Sequence, residues 1–278
     1  MPRNNPYLNR LPVTDPNEFF GRSDDVQRLL EHVTALEAPQ CATVTGIRRL
    51  GKSSLLNYLA HPQGARQQFG EYFSEGGEIL FVPLDLTFYL TEAGVPAETG
   101  GHSLVLRTLH RQLRRRARHV LPDASLAMPS DEAGFFHQTE ALELIFEALE
   151  ERDVRTIFLL DGLDAMRTID QRLEDFLVRL TRQYPVAYIV SSLKPLHKLL
   201  EQGIDSYFYQ IFTTHRLPLL AEEESFQLLT EPARRQGDSW DDPLTAALLE
   251  YTGGHPDLIK LAGNHRWHLQ SAHGQPPA

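Results

Sequence analysis

Runs of consecutive apolar residues alternate along this chain with stretches in which apolar residues return every three or four positions. The runs lie within 41–45, 78–86, 157–160 and 186–192, with a last one near 212–217. Unbroken apolar character between turn residues marks strands covered on both faces. Pro83 weakens the second run, because proline cannot donate to a sheet ladder. Helical spacing is set by Val26, Leu29, Leu30 and Val33, with Ser23 as N-cap, and predicts a helix over 24–36. Further helices are predicted over 52–60, 102–119, 169–183, 193–202, 222–236, 243–251 and 256–270, and one through Leu142, Ile145, Phe146 and Leu149. Segments 91–101 and 122–133 read as loops. Alternating strands and helices imply an α/β fold: a five-stranded, mostly parallel sheet between helical layers, with right-handed crossovers.

Before the first helix, residues 1–18 carry Pro2, Pro6, Pro12 and Pro16 and read as an extended arm. The α/β part occupies 19–217, a helical appendage 218–270, and 271–278 is expected to be disordered. The 278 residues are 41% hydrophobic and 23% charged, ordinary for a globular protein without membrane spans. Nothing resembles a signal peptide, and the lone Cys41 cannot form an internal disulfide, so a reducing, cytoplasmic setting is expected. A formal net charge of −10 disfavours broad attraction to nucleic acid. The helix bearing Arg107, Arg111, Arg114, Arg115, Arg116 and Arg118 reads either as a local nucleic-acid or acidic-partner patch or as a solvated face. No aromatic residue is interleaved there to stack on bases, so a solvated helix face is the favoured reading.

The sharpest chemical signal is Gly46-Ile47-Arg48-Arg49-Leu50-Gly51-Lys52-Ser53, followed by Ser54. This fits G-x-x-x-x-G-K-[ST], between an apolar strand and a Leu-rich helix. Gly46 and Gly51 permit a tight turn whose amides converge on one anion. The next helix aims its unpaired N–H groups at the same point. Lys52 adds a full charge near the β- and γ-phosphates, and the Ser53 hydroxyl is a Mg²⁺ ligand. The run 157–160 ends in Asp161, at a strand's carboxyl end, where it would hold that Mg²⁺ opposite Ser53. Many ATPases place Glu directly after this Asp to orient water, but here the position is Gly162. The nearest carboxylate is Asp164, so slow or Asp164-dependent hydrolysis is expected. Ser191, Ser192 and Lys194 close the following strand, either as sensors of the γ-phosphate or as an ordinary strand end.

Together these residues resemble the STAND branch of the AAA+-related P-loop ATPases, signal-transduction ATPases with many domains. Phe19-Phe20-Gly21-Arg22 resembles the family's F-x-G-R box, 46–53 its Walker A segment, 157–161 its Walker B, and Thr252-Gly253-Gly254-His255-Pro256 the G-x-P element of a helical lid. The resemblance implies a three-layer sandwich with strand order 5-1-4-3-2 and a lid over 218–270. It implies ATP or ADP with Mg²⁺ as ligands, with Phe20, Gly21, Arg22 and Pro256 near the base or ribose. The residues 19–22 read equally as a hydrophobic staple for the next helix. The resemblance further implies protein partners or self-association driven by a nucleotide-dependent switch. The chain stops soon after the lid, where family members continue, so a fragment or a minimal form is expected.

Overall fold

The structure is a computed structural model that describes residues 4–35, 39–74, 76–87, 101–122, 129–130, 134–165, 171–199, 206–240 and 242–272. Five strands, β1 (Cys41–Thr45), β2 (Glu78–Asp85), β3 (Val154–Asp161), β4 (Val186–Ser192) and β5 (Phe212–Arg216), form one sheet in the order β2-β3-β4-β1-β5. Every neighbouring pair is parallel. The order is that implied by the resemblance, and the sheet is wholly parallel.

Burial follows position in the sheet. β1 and β4 are buried at every residue, as central strands between two helical layers must be. β5 is an edge, and Thr213, Thr214 and Arg216 stay exposed. β2 is the other edge, which explains how it tolerates Pro83.

Around the sheet run α1 (Ser23–Val33), α2 (Lys52–Ala60), α3 (Ala65–Gln68), α4 (Gly101–Ala117), α5 (Phe135–Glu150), α6 (Gln171–Gln183) and α7 (Tyr207–Gln210). The segment expected to form a lid holds α8 (Glu222–Arg235), α9 (Pro243–Thr252) and α10 (Pro256–Ala272). The helix expected over 193–202 is corrected: its described part holds only a 3-10 turn at Leu196–Lys198. Pro195 precedes that turn in an extended conformation, φ −53° and ψ 142°. Ser271 and Ala272 close α10 instead of joining a disordered tail. The expected loop over 91–101 lies outside the described residues except Gly101, which opens α4; most of 122–133 and the tail from 273 also lie outside.

Two apolar clusters hold the fold. The larger packs the sheet against its helices, around Leu29, Leu55, Val82, Phe158 and Ile189. The smaller lies in the lid and contains Leu229, Trp240, Ile259 and Trp267. Tyr7 of the N-terminal arm belongs to this second cluster: it is 1% exposed, stacks on Trp240 at 5.3 Å, and donates its hydroxyl to Leu229 O. Tyr7 thus anchors the arm to these C-terminal helices, beside a hydrogen bond from Asn5 to Asn264.

Candidate nucleotide site

Because all strands run the same way, their carboxyl ends meet at one edge of the sheet. Thr45 registers with Ser192, and Leu160 with Val190. β4 lies between the other two, so Asp161 stands two strand spacings from β1, roughly 10 Å.

The loop from β1 to α2 is shaped by two left-handed residues, Arg49 at φ 61° and Gly51 at φ 96°. A side chain built on Gly46 would meet Leu50 Cδ2 at 2.8 Å, whereas nothing lies within 4 Å of a Cβ built on Gly51. The loop is therefore closed beneath Gly46 and open above Gly51. Leu50 is buried and anchors the loop, while Ile47, Arg48 and Arg49 face solvent. The first bond of α2 runs from Leu55 N to Gly51 O, so the amides of Lys52, Ser53 and Ser54 precede the ladder.

Lys52 folds back and donates to the carbonyls of Gly46 at 2.7 Å and Ile47 at 2.8 Å. Burial lowers its pKa, while the nearby charges of Asp164 and Asp161 act the other way. Those carboxylates are ordered from the neighbouring strand tips. Asp161 Oδ1 accepts from the Ser191 hydroxyl, which itself accepts from Gly162 N at 3.0 Å. Asp164 Oδ2 accepts from Leu193 N at 2.8 Å. Ser192 turns its hydroxyl onto the Lys194 carbonyl at 2.7 Å. The serine that touches the Asp161 carboxylate is thus Ser191, not Ser192.

Gly162 is left-handed at φ 75°, and a Cβ there would sit 2.2 Å from Thr87 Oγ1. The position where many ATPases carry Glu is therefore shaped for glycine.

Residues 19–22 divide their work. Phe19 stacks on Tyr58 of α2 at 4.4 Å. Phe20 packs on the lid cluster with Arg235 over its ring. Arg22 is buried, and its guanidinium donates to Leu50 O, Pro218 O and Asp25. Asp25 also bonds His215 of β5 at 2.7 Å. Burial lowers the Arg22 pKa, opposed by Asp25 and Glu224. The expectation that Arg22 flanks a base or ribose is not how the structure places it. Its donors are turned onto the phosphate-loop backbone, the lid entrance and α1. Gly21, at φ 71°, lies against the Glu224 side chain, whose carboxylate accepts from Arg22 N and Ala221 N.

Pro256 is brought to the loop. A cleft of about 230 Å³ is lined by Arg10, Leu11, Pro12 and Val13 of the arm, Gly51–Ser54 of the loop and α2, and Pro256, Asp257 and Lys260 of α10. Asp257 pairs with Arg10 at 2.6 Å and with Arg49 at 3.1 Å, joining arm, lid and loop. Burial alone would raise the Asp257 pKa, but the hydrogen bonds and charges of Arg10 and Arg49 outweigh it and hold the carboxyl below its ordinary range. The Ser54 hydroxyl accepts from Val13 N, so it serves the arm. A second cleft, about 660 Å³, opens on the other side of the loop between Gly46, Leu193, Arg216 and Leu217. Sequence reasoning missed Arg10, Asp257, Lys260 and Glu224; only Asp257 carried a signal, as the neighbour of Pro256.

No protein-family model and no curated protein sequence matches this chain. Solved structures do. The Aeropyrum pernix ORC2 protein, solved as ADPNP-ADP complexes, matches with TM-score 0.65 at 10% identity over 99% of this chain and 69% of that one. The Aeropyrum pernix ORC1 protein in complex with DNA matches with TM-score 0.56 at 14% identity over 98% of this chain and 65% of that one. The Thermotoga maritima RuvB Holliday junction branch migration motor matches with TM-score 0.52 at 11% identity over 97% and 69%. The chain thus spans about two thirds of the length of these proteins. The fold shared with them is a P-loop NTPase-like α/β sandwich around a parallel sheet. These likenesses support the broad class and add nothing to the signalling branch.

The residues present suit a magnesium nucleotide. Open space lies beside Gly51, next to the first amides of α2, which a helix leaves without intrahelical partners and a phosphate cradle uses. Ser53 and Asp161 offer a hydroxyl and a carboxylate, hard oxygen donors of the kind Mg²⁺ takes alongside phosphate oxygens.

Proposed function

We propose that this chain is an ATP-binding, slowly hydrolysing switch module in which nucleotide fastens the α/β core to the helical lid. The observation that carries the reading is the cleft in which one loop, one arm and the lid's Pro256–Lys260 turn meet above Gly51. Lys52 exchanges the Gly46 and Ile47 carbonyls for phosphate oxygens, a stronger, charge-assisted partner. The amides of 51–54 point at the same anion. Ser53 and Asp161 hold the metal, which when bound neutralises charge on the phosphates. Ser191 fixes the Asp161 carboxylate. Leu11, Pro12, Val13 and Pro256 offer the apolar walls a base needs.

Slow turnover follows from Gly162. General-base assistance is worth about 10²–10⁴-fold, and glycine offers none. Asp164, two residues on, is the nearest carboxylate in sequence, and one of its oxygens is held by Leu193 N. A module that keeps its nucleotide suits a switch better than a motor. The STAND signalling role and self-association rest on the sequence resemblance.

The test is binding of a fluorescent ATP analogue with Mg²⁺ to wild type and Lys52→Ala. Tight binding lost in the variant is expected; equal binding by both would show that the site is misassigned.

A second reading, a DNA-associated ATPase module, is favoured by the exposed Arg111 and Arg115 of α4 and Arg118 just beyond it. Salt-dependent DNA retention that disappears when these arginines are replaced would select it.

A further inference from the structure

The opposite end of the sheet carries a cleft that the P-loop chemistry does not use. Glu78 begins β2, so this cleft lies at the strands' amino ends, roughly 20 Å from the phosphate loop by strand length. It has a volume of about 460 Å³, with Leu59 and Ala60 at the end of α2 on one side and the last turn of α4 on the other. Five cationic or protonatable side chains line it, His61, Arg66, Arg115, Arg116 and His119, against the single carboxylate of Glu78.

We propose that this cleft binds a phosphate-bearing ligand. The charges are not neutralised within the fold. Glu78 is taken by His119 at 2.9 Å. Arg66 gives one N–H to the outward carbonyl of Ile79 at 2.7 Å and lies over the Phe73 ring at 4.8 Å. Its fork is therefore held in place with donors to spare. Arg116 is half-buried beside Arg115, and neither bonds a carboxylate among the described residues. Burial and the adjacent Arg115 charge both lower the Arg116 pKa, which is the signature of a cation lacking its counter-ion. Burying unpaired charge is costly unless something pairs it. Guanidinium forks match the oxygens of phosphate, and the buried Ile79, Leu80 and Phe81 form a low-dielectric floor that strengthens such contacts. The volume exceeds a bare phosphate, leaving room for an organic group. Phosphomonoesters and nucleic-acid phosphodiesters share this chemistry.

The inference does not depend on the P-loop reading, and the experiment keeps the two apart. Binding of pyrophosphate, and separately of a short single-stranded DNA oligonucleotide, is measured by titration calorimetry on wild type, Lys52→Ala, and Lys52→Ala carrying Arg115→Gln and Arg116→Gln. Glutamine keeps helix propensity, and the exposed Arg115→Gln alone serves if the pair destabilises the fold. Lys52→Ala should retain pyrophosphate binding, and the arginine changes should weaken it about tenfold or more. If the oligonucleotide binds more tightly and loses affinity with the same changes, the ligand's source is nucleic acid; if pyrophosphate alone binds, it is a small phosphorylated molecule. Absence of binding by both probes to Lys52→Ala, or binding indifferent to the arginine changes, would overturn the proposal.

Discussion

The two ends of the P-loop cleft are built in different ways. The phosphate end is made from neighbours in sequence: backbone held left-handed at Arg49 and Gly51, helix amides, and Lys52 on its own loop carbonyls. Its supporting groups are buried, with Arg22 beneath Leu50 O and Asp25 between Arg22 and His215. The proposed base end is assembled from three segments far apart in sequence, joined by Asp257 pairs whose arginine partners are 43% and 59% exposed. Buried, directional contacts set a fixed shape, whereas exposed pairs are screened and weak. Affinity should therefore reside at the phosphate end, and opening and closing at the base end.

The sharpest break of that contrast is at Arg22. Removing one partner of a buried, hydrogen-bonded pair costs about 3–5 kcal/mol. Because His215 still holds Asp25, Arg22→Ala should lie near the lower figure and drop the melting temperature by roughly 6–12 °C. A change under a degree would mean that the guanidinium does not clamp loop to lid. Next comes Lys52→Ala, which removes charge-assisted bonds worth about 1.5–3 kcal/mol and should weaken ATP-analogue binding roughly 10- to 100-fold with little change in melting temperature.

A comparable step down is Gly162→Glu. Left-handed backbone strain of about 1–3 kcal/mol and contact with Thr87 should destabilise the fold without raising ATP turnover. Gly162→Ala should be milder in a Thr87→Ala background, because the 2.2 Å approach to Thr87 Oγ1 is then relieved. A faster ATPase in Gly162→Glu would show that the position tolerates the catalytic carboxylate after all.

What could be read in advance follows the same divide. β1 and β4 begin and end where their apolar runs do, at Cys41–Thr45 and Val186–Ser192, because both faces are buried and turn residues bound them. The single turns at Ala65–Gln68 and Tyr207–Gln210 are too short to show a period. A helix over 193–202 fits its apolar spacing, yet Leu193 N is committed to Asp164 and Pro195 is extended. Ser191 and Ser192 are adjacent letters, but in a strand adjacent residues point to opposite faces, so choosing between them needs the register. Arg10 and Asp257 are 247 positions apart, and nothing in either neighbourhood announces the other.

The smallest effect tests the base end itself. Asp257→Asn removes the charge shared by Arg10 and Arg49 while keeping its shape. Exposed pairs of this kind shift an equilibrium by no more than about fivefold, so nucleotide release should quicken only within that limit. The wild-type difference should shrink as salt rises through physiological strength, where the screening length is about 8 Å. The pH dependence has a fixed sign. Asp257 is held below its ordinary carboxylate range in the folded protein, so its contribution is present above the unfolded pKa of about 4 and is lost as pH falls through the lower folded value. Wild type and Asp257→Asn should therefore differ at pH 7 and converge in the acid range below about pH 4. A release rate unchanged at pH 7 and low salt would move the hinge of the switch away from the arm–lid contact and onto the buried Arg22 clamp.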